Sequence, residues 1–374
     1  MKLNPRTVLL SPTAFKGTLS PLEVTSLMKV AIKKKWREAK IIEAPLADGG
    51  DGTLEVLQDF FKGKICKKKV HGPLGKPVLA PWIFIKTNPH VKVKTALIEM
   101  AKASGLALVK GQNKILEATT FGTGELILEA IKKGCKHIII GVGGTATADG
   151  GAGALQALGY QYFNSKKKEL EASPEEMIHF SYYDQKHVYP QLKNVQFTII
   201  SDVTNPLLGP QGSAKTFGPQ KGATPSQVKF LERVMQVWAK QAPRNVARYP
   251  GVGAAGGLSF GLKSFLNAKI VQGTPYVMEL FQWKEKAKNA DIILTGEGQL
   301  DKTSFSGKVI GAICENTPKK ILVVCGKNRL SKAEYRNKGI FHVIEMGPQG
   351  LKNPKESLIK EMKRYFSNDV REFF

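Results

Sequence analysis

Val8-Leu9-Leu10-Ser11-Pro12-Thr13-Ala14-Phe15-Lys16-Gly17-Thr18-Leu19-Ser20-Pro21-Leu22-Glu23 reads as a short buried strand, a polar loop and the first turn of a helix. Ser20 is placed to cap that helix, Pro21 occupies its first position and Glu23 its third, which is the pattern of a capping box. Val24, Leu27, Met28, Ala31 and Ile32 then follow at helical spacing. The cadence repeats at once. Ile41-Ile42 begins a second strand, which runs into the loop from Pro45 to Gly52, and this opens a helix through Phe60. Near the other end, residues 291–294 predict a strand ending in a polar, glycine-rich loop. Residues 321–324 and 341–344 predict further strands, and 356–365 a helix. Strand–helix alternation at both ends argues for one parallel α/β sheet to which both ends of the chain contribute.

The middle of the chain reads differently. Residues 78–85 and 95–100 predict strands joined by a turn at Asn88-Pro89, and a helix is expected over 124–132. A strand over 137–140 runs straight into Gly141, and a strand over 197–200 ends at Ser201-Asp202. Residues 207–225, rich in Gly and Pro, predict mostly loop before a helix over 227–239.

The bulk properties set limits. A chain of 374 residues with 42% hydrophobic and 23% charged residues has the composition of a globular protein large enough for two domains. The apolar run at Val8–Leu10 is too short for a signal peptide, and no run approaches the length of a membrane span, which predicts a cytoplasmic protein. Cys66, Cys135, Cys314 and Cys325 are widely spaced and form no Cys-x-x-Cys pair, as expected of reduced thiols, and the histidines show no zinc-site spacing. The net charge of +25 raises the question of nucleic acid. The lysine runs at 33–35, 67–69 and 166–168 each flank an apolar element, and no aromatic interleaving accompanies them. They read as solvated faces that also attract anionic substrates.

Gly, Asp and Lys cluster just after strands, where open α/β sheets bind ligands. Five places stand out: residues 13–17, 48–53, 141–153, 202–222 and 295–308. The loop Gly141-Val142-Gly143-Gly144-Thr145-Ala146-Thr147-Ala148-Asp149-Gly150-Gly151 follows an isoleucine-rich strand and precedes a helix. Its glycines would let backbone N–H groups approach an oxyanion. A second glycine-rich stretch, Gly251 to Gly256, follows Arg248-Tyr249-Pro250 rather than a strand, so either phosphate contact or tight packing would account for it. The chain carries neither G-x-x-x-x-G-K-[ST] nor the protein-kinase motif set. The loops still hold what phosphoryl transfer requires. Lys16, Lys221 and Lys308 are the cations, and Asp48, Asp149, Asp202, Glu297 and Asp301 are the carboxylates.

These residues fall into motifs that resemble the bacterial glycerate kinases. Phe15-Lys16-Gly17, Ala47-Asp48-Gly49-Gly50-Asp51-Gly52-Thr53, Gly72-Pro73-Leu74-Gly75 and Phe121-Gly122-Thr123-Gly124-Glu125-Leu126-Ile127 carry the resemblance, followed by the 141–153 loop. It continues through Asp202-Val203-Thr204-Asn205-Pro206-Leu207, Phe217-Gly218-Pro219-Gln220-Lys221-Gly222-Ala223-Thr224, Gly253-Ala254-Ala255-Gly256-Gly257 and Thr295-Gly296-Glu297-Gly298. Two positions depart from the family pattern. Thr13-Ala14 stand where the family commonly has Asp-Ser, and Gln299 stands where it often has Arg.

The resemblance implies a two-domain α/β protein with its active site in the cleft between domains. It also implies transfer of the ATP γ-phosphate to D-glycerate with Mg2+, the branch it resembles being associated with 2-phosphoglycerate. Together with the alternation, it predicts a flavodoxin-like parallel α/β domain from residues 1–64 and 285–374, with 65–284 as an inserted mixed α/β domain. Lys16 and Lys308 are expected to partner phosphate charge, and Gly143 and Gly144 to offer backbone donors. Lys221 and Asp48 would contact phosphate or substrate. Asp202 or Asp149 would orient or deprotonate the hydroxyl, and Glu297 or Asp301 would hold Mg2+. The expected partners are D-glycerate and ATP, with no nucleic acid or membrane, on a monomer or homodimer.

Two other readings make different demands. A nicotinamide-dependent dehydrogenase would need an acidic residue ending the strand after the 141–153 loop, but Glu169 and Glu171 lie in a lysine-rich stretch. A basic nucleic-acid-binding protein would need clustered charge and a binding module. The kinase reading is tested most directly at Lys16. Lys16→Met is expected to lower kcat/KM by about 100-fold, or about 2.7 kcal/mol. Its Tm should stay nearly unchanged and Lys16→Arg should rescue only in part. Steady-state kinetics check this, and wild-type kinetics in the Met variant would return Lys16 to the solvated surface.

Overall fold

The computed structural model describes residues 5–15, 17–48, 52–86, 92–112, 114–305, 307–347, 350 and 352–367. The chain divides into two compact units, one of Met1–Phe60 with Gly273–Phe374 and the other of Phe61–Gln272.

In the first unit, Thr7–Leu10 pairs in parallel with Lys40–Glu43 on one side and with Ile292–Leu300 on the other. Lys320–Asn328 and Ile340–Glu345 continue the sheet, also in parallel. Numbered along this unit alone, the strand order is 2-1-3-4-5, the flavodoxin-like doubly wound order. Strand residues alternate between faces. Val8, Leu10, Ile292, Leu294, Leu322 and Val324 pack into one cluster with Val24, Met28 and Ile32 of helix Pro21–Lys35 and Leu358 and Met362 of helix Pro354–Ser367. Leu9, Ile293 and Val323 are buried on the other face. The first helix starts as its sequence requires. The Ser20 hydroxyl accepts from Glu23 N at 3.3 Å, Ser20 N donates to Glu23 Oε2 at 3.0 Å, and Pro21 follows the cap.

One expectation fails here. The glycine-rich stretch from Thr295 was expected to be a loop, yet strand Ile292–Leu300 runs on through Gly296 and Gly298, paired with Lys320–Asn328 as far as Leu300↔Asn328. Gly296 serves close strand packing, since a Cβ there would lie 2.5 Å from the Val324 carbonyl oxygen. The loop begins only at Asp301.

The second unit has a six-stranded sheet. Lys269–Val271, Gln196–Ile200, His137–Gly141 and Thr95–Glu99 lie side by side in parallel, and Pro77–Ile85 and Lys64–His71 add two antiparallel strands. The turn expected at Asn88-Pro89 lies outside the described residues. A small antiparallel sheet of Gln161–Phe163, Glu169–Leu170 and Tyr182–Asp184 was not anticipated. Its hairpin tip is the lysine run 166–168. Asn164 Oδ1 accepts from Lys166 N and Lys168 N, and Lys167 takes a left-handed φ of 63°. That run is therefore a solvated turn, chosen for geometry and solubility.

Tight packing explains two of the glycine motifs. Helix Phe121–Lys132 approaches its neighbours so closely that a Cβ on Gly122 would lie 1.8 Å from His71 O, and one on Gly124 would lie 2.3 Å from Ala154 O. Ala255, Gly256 and Gly257 are all left-handed, and a Cβ on Gly256 would lie 2.0 Å from Thr147 O. Gly256→Ala is therefore expected to destabilise the protein by at least about 2 kcal/mol, through overpacking on a backbone oxygen and left-handed strain. Chemical denaturation checks this, and an unchanged midpoint would mean that the 145–151 loop yields at no cost.

Candidate active site

In an open sheet of order 2-1-3-4-5, ligands are expected beyond the carboxyl ends of the strands, where the order reverses beside the first strand. The first unit has a cavity of about 380 Å³ there. Thr13, Ala14, Phe15 and Thr18 line it from the loop after the first strand, and Asp48 from the loop after the second. Glu297, Gly298 and Gln299 come from the projecting end of Ile292–Leu300, Asp301 from the loop it enters, Lys308 and Val309 from the next helix start, and Gly326, Lys327, Met346 and Gly350 from the ends of the last two strands and the segment after them. The structure thus brings Asp48, Glu297, Asp301 and Lys308 to one cavity. Lys16 lies outside the described residues.

Glu297 is 9% exposed, and its Oε1 has no hydrogen-bond partner among the described residues. Burial raises its pKa to about 7, opposed by a Ser304 hydrogen bond and the Lys308 charge and reinforced by Asp301 and Asp48. Asp301 is the opposite case. Hydrogen bonds from the Thr303 and Gln299 side chains hold its pKa down at about 2. Its Oδ1 accepts from Thr303 N at 2.8 Å and Thr303 Oγ1 at 2.7 Å, and its Oδ2 accepts from Gln299 Nε2 at 2.7 Å. Gln299, where the family often has Arg, is thus engaged with its near neighbour. Lys308 Nζ donates to Thr303 Oγ1 at 2.8 Å. Two carboxylates four residues apart therefore differ in character, one short of donors and one saturated with them.

In the second unit the loop 142–151 is held almost everywhere. Asp149 is 2% exposed and accepts four hydrogen bonds. Thr120 N and Thr120 Oγ1 each lie 2.7 Å from Oδ2, with Gly153 N at 3.1 Å, and Gly151 N lies 3.2 Å from Oδ1. Burial raises its pKa, and these bonds oppose the rise. The first amides of helix Ala152–Ala157, expected to meet a phosphate, are thus met by the protein's own carboxylate. Ala154 N is taken by Thr120 Oγ1 at 2.9 Å. Trp238 Nε1 holds Gly150 O at 2.9 Å, and Gly256 O accepts from Gly150 N at 3.0 Å. Gly143 and Gly144 alone in this loop are exposed.

Asp149 is thus enclosed by donors of its own loop and of Thr120, and Lys221 is likewise turned inward. It is 7% exposed, and its Nζ donates to Thr147 O at 2.7 Å, turned onto the loop's backbone. Asp202 is exposed in the bend after strand Gln196–Ile200. Sequence reasoning missed Thr18, Thr303, Ser304 and Lys327. Lys327 had a signal, because Gly326-Lys327 follows an apolar strand as the five singled-out loops do. Nothing in sequence marked Thr120.

A profile described as the glycerate kinase family matches residues 8–372. A glycerate kinase of Halalkalibacterium halodurans is 36% identical over 307 residues, covering 81% of this chain and 80% of the relative. A glycerate 2-kinase of Escherichia coli is 35% identical over 327 residues, covering 85% and 84%. A crystal structure described as glycerate kinase 2 from Salmonella typhimurium LT2 superposes with a TM-score of 0.84 at 31% identity, covering 97% of this chain and 98% of that one.

Burial lowers the pKa of Lys221 to about 7, with Asp149 pulling it back up. The unfolded chain holds this proton up to its ordinary pKa near 10.5, so above pH 7 it binds more protons than the folded state. Stability from this group should therefore rise with pH over that window. Unfolding free energies of wild type and Lys221→Met, measured from pH 7 to 9, are expected to diverge in favour of wild type by up to about 1.4 kcal/mol per pH unit. A difference independent of pH would mean that Lys221 stays charged in the fold.

Proposed function

The chain belongs to the glycerate kinase family, and from that premise we propose that it transfers the γ-phosphoryl group of ATP to D-glycerate, with Mg2+ as companion ion and 2-phosphoglycerate as product. The observation that carries the proposal is the cavity of the first unit, where Lys308 and Lys327 line the same space as Asp48, Glu297 and Asp301 at the sheet's switch point. Phosphoryl transfer needs cations for the phosphate oxygens and a carboxylate for the ion, and little covalent chemistry from the protein. The choice of 2-phosphoglycerate rests on the name of the Escherichia coli relative, a glycerate 2-kinase.

Among the described residues no group of three or more His, Cys, Asp or Glu side chains is arranged to hold a metal. Mg2+ in kinases commonly takes one or two carboxylates, the substrate phosphates and water, so that finding does not weigh against it. The buried Glu297 Oε1 lacks a donor, which fits a cation. Glu297 is therefore the residue proposed to hold Mg2+, and Asp301, whose oxygens already have donors, is linked through the Thr303 hydroxyl to Lys308 instead. The ion would supply neutralisation of phosphate charge.

Lys308, Lys327 and Lys16 would partner the phosphate oxygens, and Asp48 would contact substrate. Gly143 and Gly144 would offer N–H donors to an anion. Asp202 would orient the acceptor hydroxyl and take its proton as the new P–O bond forms and the bond to the ADP oxygen breaks. Lys221 and Asp149 would hold the 142–151 loop in shape.

A coupled assay with ATP, Mg2+ and D-glycerate tests the function. ADP release dependent on D-glycerate is expected, with the phosphorus NMR spectrum of the product matching 2-phosphoglycerate. Absence of glycerate-dependent turnover would remove the substrate assignment, and 3-phosphoglycerate as product would correct the position alone.

A further inference from the structure

The end of strand Ile292–Leu300 and the short 3-10 turn Lys302–Phe305 after it carry a chain of hydrogen bonds that phosphate chemistry alone does not require. Gln299 Nε2 donates to Asp301 Oδ2 at 2.7 Å, Thr303 Oγ1 donates to Asp301 Oδ1 at 2.7 Å, and Lys308 Nζ donates to Thr303 Oγ1 at 2.8 Å. The polarity of this chain is fixed by its ends. An ionised carboxylate can only accept and an ammonium can only donate, so the hydroxyl between them must give its proton to Asp301 and its lone pair to Lys308. Backbone bonds brace the same turn, with Thr303 N on Asp301 Oδ1 at 2.8 Å and Asp301 N on Ser304 Oγ at 3.0 Å.

A lysine with two carboxylates nearby would ordinarily close a direct ion pair and spend its charge there. Lys308 makes no salt bridge among the described residues, although the charges of Asp301 and Glu297 both act in its surroundings. The hydroxyl stands between ammonium and carboxylate. It holds Lys308 by one of its three protons and leaves the other two for the cavity that Lys308 lines.

We propose that Thr303 is a positioning residue: its hydroxyl, oriented by Asp301 and through it by Gln299, aims the Lys308 ammonium at the cavity and keeps it from pairing with Asp301 directly. The proposal rests on the reading of Lys308 as a phosphate partner. Thr303 is exposed, so its substitution acts on this geometry rather than on the core.

The test compares Thr303→Val, which keeps the shape and removes the hydroxyl, with Thr303→Ser, which keeps the hydroxyl. Both are made in wild type, and Thr303→Val is also made in a Lys308→Met background, with turnover of ATP, Mg2+ and D-glycerate measured in each. Lys308→Met is expected to lower kcat by about 100-fold. Thr303→Val should lower kcat by about 10-fold with KM for D-glycerate changed less than about threefold, and Thr303→Ser should stay within about threefold of wild type. In the double variant the Thr303→Val loss should vanish, because a residue acting only through Lys308 has nothing left to position. An impaired Lys308→Met with Thr303→Val at wild-type turnover, or with losses that multiply in the double variant, overturns the proposal alone. Wild-type turnover in Lys308→Met sinks the reading of Lys308 on which it rests.

Discussion

The parallel pairing of Val8, Leu9 and Leu10 with Ile292, Ile293 and Leu294 closes the chain on itself, and the candidate site depends on that closure. Several side chains lock the same seam. Asp291 Oδ2 accepts from Arg6 N and Thr7 N at 2.8 and 2.9 Å. Thr295 Oγ1 donates to Ser11 O at 2.8 Å, and Trp283 Nε1 donates to Ser11 Oγ at 2.8 Å, the latter two bonds fully buried. Contacts so far apart in sequence carry a large loop-closure cost, offset here by strand residues with no exposed surface. The result is that the loop after the first strand and the end of the strand after it stand over one cavity.

From that seam the two central strands project beyond their neighbours. Register with the first strand ends at Leu294, while pairing with Lys320–Asn328 continues to Leu300. The projecting ribbon lifts Glu297, Gln299 and Lys327 to the cavity, with Gln299 and Lys327 directly paired. A ribbon can hold side chains more firmly than a loop could, because its backbone bonds are already made. It also separates two environments within one turn of chain, so that Glu297 is buried and poor in donors while Asp301 is solvated and surrounded by them.

The second unit meets a different constraint, that of keeping a glycine-rich loop in one shape. Glycine costs backbone entropy wherever it is ordered. The loop is fixed by Asp149 beneath the helix start, Lys221 on Thr147 O and Trp238 on Gly150 O. A buried carboxylate and a buried lysine amine are both costly, and each is tolerated because its donors or acceptors are groups fixed by the fold. Gly143 and Gly144 stay at the surface of an otherwise immobilised segment.

The sequence alone determined most of the strand–helix alternation of the first unit and the apolar strands of the second, but not the small antiparallel sheet or the extent of strand Ile292–Leu300. Ser20-Pro21-Leu22-Glu23 has one sensible reading, apolar strands 8–10, 137–140 and 197–200 are too short and branched to be helices, and motifs read in order identified the family. It also determined that Asp48, Glu297, Asp301 and Lys308 sit near strand ends, which is a local property. Only the tertiary structure decided the environment of each of them, because that depends on neighbours far away in the chain. Asp149 and Glu297 are both acids in glycine-rich segments, yet Thr120 supplies donors to one and no described residue supplies them to one oxygen of the other. Gly296 looked like the start of a loop because glycine is as common in turns as in crowded strands, and the crowding comes from Val324. Lys221 was expected to contact phosphate or substrate, and only the tertiary structure buried it with its Nζ on Thr147 O, which no spacing of residues around position 221 could have disclosed.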